Sequence, residues 1–138
     1  MDGVRKIKLD VSDEVRRKLV EYSDQAIEYA HQAKRLLDAW NYYDSIEKSG
    51  RAVHYGVRAV TSIFGEDSAD SIDLSRKVLK LVDTGVIDVY FYNTLYYSIA
   101  TGSEAVEYPK AQASKEDAAE LYEKVKELLE VLKGILFT

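Results

Sequence analysis

From Ala118 to Ile135 the apolar residues fall three and four positions apart: Ala118, Leu121, Tyr122, Val125, Leu128, Leu129, Leu132 and Ile135. At about 100° per residue that spacing lines one side of an α-helix, whereas on a strand it would scatter over both faces. Ser114 with Asp117 resembles a capping box in which Asp replaces the usual Glu. Glu120/Lys124, Glu123/Lys126 and Glu130/Lys133 can pair on the wet side. A helix with one apolar stripe has to bury it against other elements. The rest of the chain must therefore supply partners for it.

Two such partners lie upstream. Val15, Leu19, Tyr22, Ala26, Tyr29, Ala33, Leu36 and Trp40 form one stripe, which predicts a first helix over 12–40. It follows a short alternating lead-in, "VRKIKLDVS" (4–12), whose Ser12 suits an N-cap. The lead-in also resembles the start of a ribbon-helix-helix DNA-binding protein. That fold needs a break after about three turns, and here the helical pattern runs on. "NYYD" (41–44) reads as a tight turn. A second helix over 43–64 follows, with Ile46, Val53, Val57, Val60 and Phe64 inside. Gly50 and Gly56 lie near that stripe, where a missing side chain permits close helix approach.

A third, shorter helix fits "SIDLSRKVLKLVDTG", with Leu74, Val78, Leu81 and Val82 inside and Gly85 as its stop. "VIDVYFYNTLYYSIATG" (86–102) favours strand by propensity, yet it lacks period-2 alternation and would have no strand to pair with. It is read as a helix buried on most sides. A loop with the sole proline, Pro109, leads to the last helix. The expectation is an all-α antiparallel bundle of four or five helices, with residues 1–11 as an extended lead-in and 12–138 as one domain.

Composition removes several classes of function. The chain has no cysteine, so disulfides, thiolate metal sites and cysteine nucleophiles are excluded. No apolar run reaches ~18 residues, which argues against a membrane span. The start has no apolar leader core, so the default location is the cytoplasm. Residues 1–61 carry 11 Lys/Arg against 10 Asp/Glu, and residues 62–138 carry 8 against 14. Without a basic tail or cluster, strong nonspecific nucleic-acid binding is not indicated, although a local basic groove remains open. One Met, two Asn and three Gln are few thermolabile residues, a pattern found in proteins from hot environments.

"RAVHYGVRAV" (51–60) holds the most chemistry. Glu47, Arg51, His54 and Arg58 follow at spacings of four, three and four, so they share a strip beside the apolar stripe, and Thr61 extends it. Two guanidinium forks suit phosphate, and a histidine between them suits acid–base work near neutrality. The same ridge is what a solvated flank or an interface rim looks like, with Glu47 and Arg51 as a helical pair. His31 falls on the polar face of the first helix beside Lys34 and Arg35 and reads as a surface residue. Two histidines on different helices make a poor metal site, so neither a metal nor a cofactor is expected. There is no HExxH, Walker loop or GxGxxG. Tyr90, Tyr92, Tyr96 and Tyr97 crowd one segment as candidate interface residues.

"SDQAIEYAHQAKRLLDAWNYYDSIEKSGRAVHYGVRAVTSIFG" (23–65) resembles the first helical hairpin of the HEPN superfamily (higher eukaryotes and prokaryotes nucleotide-binding). "EYPKAQASKEDAAELYEKVKELLEVL" (107–132) is similar to its closing loop and last helix, with archaeal members the nearest in flavour. The resemblance implies an antiparallel helical bundle that usually dimerises. It implies a role as an RNA-cleaving toxin, a nucleotide-associated module or the partner of a small nucleotidyltransferase. The RNA-cleaving members carry an Arg and, four to six residues later, a His near the start of a late helix. The corresponding "LYYSIATGSEAVEYP" has neither, and Arg51 and His54 are three apart on the second helix. The catalytic pair is therefore not carried over. A binding or interaction module, dimeric in the family manner, is the leading expectation. The alternatives are a metal-independent ribonuclease working through Arg51, His54 and Arg58, and a purely structural helical partner.

Overall fold

The computed structural model describes residues 11–63, 71–85 and 114–136. The lead-in before Val11, Phe64, Gly65 and its acidic loop, the 86–102 segment and the proline loop lie outside the described residues, as do the side chains of Leu74, Val78 and Ile135. The chain is all-α. Four helices and no strand are found among the described residues: α1 (Asp13–Asp38), α2 (Tyr42–Ile63), α3 (Ser71–Asp83) and α4 (Lys115–Leu136).

Local chemistry sets the helix ends. Ser12 Oγ accepts from the Val15 N–H at 3.2 Å, and Ser114 Oγ accepts from the Asp117 N–H at 3.1 Å. Each satisfies one of the four amide donors that a helix start leaves open. At the end of α3, Thr84 Oγ1 donates to the Lys80 carbonyl at 2.8 Å, and Gly85 takes a φ of 78°. That left-handed conformation is natural for glycine, which has no Cβ to clash.

The turn between α1 and α2 differs from the expectation. It falls at residues 39–41, so Tyr42, Tyr43 and Asp44 already belong to α2. The Trp40 N–H donates to the Leu37 carbonyl at 3.1 Å and the Asn41 N–H to the Leu36 carbonyl at 2.8 Å. This paired closure ends α1 with Trp40 in the left-handed region, φ 66°. Trp40 thereby leaves the buried stripe in which its spacing put it and stands 78% exposed. Asn41 then starts α2, its carbonyl accepting from the Ser45 N–H at 3.0 Å and its Nδ2 donating to Asp44 at 2.8 Å.

α2 is the central helix and touches the other three. The Ser45–Ala33 and Arg58–Tyr22 bonds run α1 and α2 antiparallel. Lys34 lies over the Tyr122 ring, and Gly56 faces Leu129 and Leu132, so α4 runs along α2 in the same direction and opposite to α1. Leu19, Ile46, Val53, Val57, Val60, Leu81, Val125, Leu128 and Leu132 fill the space between them. Gly56 matters here because an added Cβ would lie 2.8 Å from Leu132 Cδ1. Gly50 is also buried.

Two buried serines one turn apart separate the value of a hydrogen bond from the cost of a missing one. Ser45 and Ser49 are both 0% exposed. Ser45 Oγ donates to the Ala33 carbonyl at 2.8 Å, whereas Ser49 Oγ has no hydrogen-bond partner among the described residues. A made bond contributes about 1 kcal/mol net, and a buried unmade one costs about 1–3 kcal/mol. Chemical denaturation should therefore show Ser45→Ala losing about 1 kcal/mol and Ser49→Ala unchanged or more stable.

Candidate functional site

Arg58 joins the polar ridge of α2 to α1, and the rest of the ridge runs along the same flank of α2. Arg51 Nε donates to Glu47 Oε1 at 3.3 Å, with both side chains 35% exposed. This is the helical pair expected from their spacing. Arg51 is thus steadied on its own helix.

Arg58 is held from the other helix. Its Nη2 donates to Tyr22 Oη at 2.8 Å, and its guanidinium carbon lies 4.4 Å from the Tyr22 ring centroid and 5.8 Å from that of Tyr55. A guanidinium over aromatic faces is attracted by the ring quadrupoles, and the fork is fixed in orientation before any ligand arrives. His54, one turn before Arg58, is half-buried with Nδ1 inside, and its ring meets Tyr55 edge-on at 5.5 Å and 79°.

Three tyrosines continue the surface. Tyr55 stacks on Tyr29 at 5.6 Å and tilts against Tyr22 at 6.1 Å, while Lys48 Nζ lies 5.6 Å over the Tyr29 ring. Two cations therefore bracket three rings in this row: Lys48, Tyr29, Tyr55, Tyr22, Arg58. Reading the sequence assigned Tyr22 and Tyr29 to the core stripe and did not single out Tyr55 or Lys48. Their i,i+7 spacing on α1, opposite a basic ridge on α2, was the available signal.

Of the residues singled out from the sequence, Glu47, Arg51, His54 and Arg58 lie in order on one flank of α2, none of them fully buried. Thr61 is buried instead, its Oγ1 donating to the Arg58 carbonyl at 3.2 Å. It leaves the ridge because it turns into the packed side of α2. His31 is exposed on α1, two residues past Tyr29. Tyr90, Tyr92, Tyr96 and Tyr97 lie outside the described residues. Among the described residues no three His, Cys, Asp or Glu side chains gather to hold a metal ion, and no helix is long and apolar enough to cross a membrane. One clear pKa shift lies away from the ridge, where the hydrogen-bonded carboxylate of Asp38 raises Lys34 above the ordinary lysine value.

An antiparallel helical hairpin with a lengthwise helix packed against it, and a half-buried polar ridge on one flank of α2, defines an all-α helical module. The HEPN domain model matches residues 19–135, which includes α2 and α3 whole, most of α1 and nearly all of α4. The chain belongs to the HEPN domain family. Comparison with curated proteins and with solved structures returned no match.

Proposed function

We propose that this chain is a dimeric HEPN module that binds the phosphates and bases of a nucleotide or RNA in the α1–α2 groove. The observation that carries this reading is the Arg58 guanidinium, bonded to Tyr22 and stacked against Tyr22 and Tyr55. Arg58 and Arg51 supply forks for phosphate oxygens. The tyrosine rings supply π-faces for bases, each such stack being worth about 1–3 kcal/mol. His54 is a further donor between the two arginines. Tyr90, Tyr92, Tyr96 and Tyr97 remain candidates for the contact between copies, and the cytoplasm is the compartment in which this ligand would be met.

Binding is favoured over cleavage because both arginines are engaged by neighbours that orient them, while the Arg and His spacing of the RNA-cleaving members is missing from residues 95–109. A labelled oligoribonucleotide tests this by fluorescence anisotropy and gel analysis of the same samples. The expected outcome is saturable binding with the oligonucleotide intact, weakened by Arg51→Ala. Cleavage that His54→Ala abolishes would replace this reading with the ribonuclease. No binding at any concentration would leave a purely structural module.

A further inference from the structure

Trp40 is held in a conformation that favours glycine, with its side chain in water. Its φ of 66° lies in the left-handed region, where an L side chain crowds its own carbonyl at a cost of roughly 1–2 kcal/mol. Glycine or asparagine is the usual occupant of this position after a helix. The indole is 78% exposed, so it returns little of that cost by burial within the chain. The described tyrosines, at positions 22, 29, 42, 43, 55 and 122, are all half-buried, which makes Trp40 the one exposed aromatic among the described residues. The two hydrogen bonds that close α1 fix its backbone, so the indole is presented from a rigid tip.

The charges around the tip narrow the class of partner. Lys34 is paired with Asp38 at 3.1 Å, Arg35 with Glu28 at 3.4 Å, and Asn41 donates to Asp44 at 2.8 Å. A polyphosphate ligand needs an excess of cations, and this rim has none. A mixed-sign rim is instead self-complementary: a two-fold rotation can set Lys34 of one copy beside Asp44 of the other.

We propose that Trp40 is the anchor by which a second copy of this chain docks at the α1–α2 tip. The proposal rests on the dimeric reading above and adds the residue that carries the contact. One indole supplies roughly 150–250 Å². A standard interface takes about 800 Å² from each partner. Trp40 is therefore the buried centre of a wider patch, as interface aromatics usually are.

The chain has one tryptophan, so its emission reports on this site alone. Emission and acrylamide quenching should be followed from below to above the concentration at which sedimentation shows association. The proposal predicts a blue shift and reduced quenching on association. Trp40→Gly should weaken association by at least about tenfold, while melting at the same temperature as the parent or higher below the associating concentration, because the left-handed strain is gone. Trp40→Asn, which also tolerates this backbone, guards against fraying of the helix end in the glycine variant. A dimer with unchanged emission and equally dimeric variants overturns the anchor and leaves the dimer standing. A monomer at every concentration overturns the dimeric reading and the anchor with it. Quenching by an oligoribonucleotide at fixed protein concentration, with no change on association, reassigns the indole to the ligand surface and overturns the proposal.

Discussion

Leu132→Ala is expected to lower the unfolding free energy by about 2–5 kcal/mol, the range for a leucine removed from a closed core. Leu132 is 2% exposed and fills the space left by Gly56 on the facing helix. The effect of Gly56→Ala should then depend on what stands at 132. In the parent chain the new Cβ would meet Leu132 Cδ1 at 2.8 Å and Leu129 Cδ2 at 3.2 Å. Overpacking of this kind costs about 1–3 kcal/mol. It exceeds the roughly 1 kcal/mol that alanine gains over glycine in a helix, so the substitution should destabilise. In the Leu132→Ala background the nearer obstacle is gone, and Leu129, half-buried, can shift. There Gly56→Ala should stabilise. A double-mutant cycle by urea denaturation reads this as a coupling of about 1–3 kcal/mol. Additive effects would show that α2 and α4 do not meet at these two residues.

Arg58→Ala should weaken oligoribonucleotide binding by about 10- to 100-fold, which corresponds to losing a charge-assisted hydrogen bond of about 1.5–3 kcal/mol. Tyr22→Phe separates orientation from charge. It keeps the ring beneath the guanidinium, 4.4 Å away in the parent, and removes the 2.8 Å bond to its Oη. Affinity should fall by about 2- to 10-fold, with the melting temperature nearly unchanged because the site is only part-buried. Arg58→Lys should not restore full affinity, since an ammonium offers a point charge and no planar fork. Anisotropy titrations beside thermal melts check all three. Equal affinities for parent and Tyr22→Phe would mean that the Tyr22 bond serves packing alone.

Much of the fold was legible because periodicity is a local property. Leu19, Val53, Val57, Val60, Val125 and Leu128 were placed inside by spacing alone, and all six are buried. Ser12 and Ser114 were legible as helix starts because capping needs only a hydroxyl at the right offset. Trp40 was misplaced for an equally physical reason. Its spacing continued the stripe, and the glycine that usually marks a left-handed helix end is absent. The ridge on α2 was visible because it lies within one helix. Its partners on α1 were not, since the meeting of Tyr22 and Tyr29 with Tyr55 depends on the register between two helices. No single-helix pattern states that register.

The most direct test of the proposed groove is the salt dependence of oligoribonucleotide binding. For single strands the logarithm of the affinity falls against the logarithm of salt with a slope of about −0.7 per phosphate contacted. If Arg51 and Arg58 each hold a phosphate, the double variant Arg51→Ala/Arg58→Ala should bind more weakly and lose about 1.4 from that slope. A parent that does not bind, or a double variant with the parent's affinity and slope, would contradict the assignment of this groove.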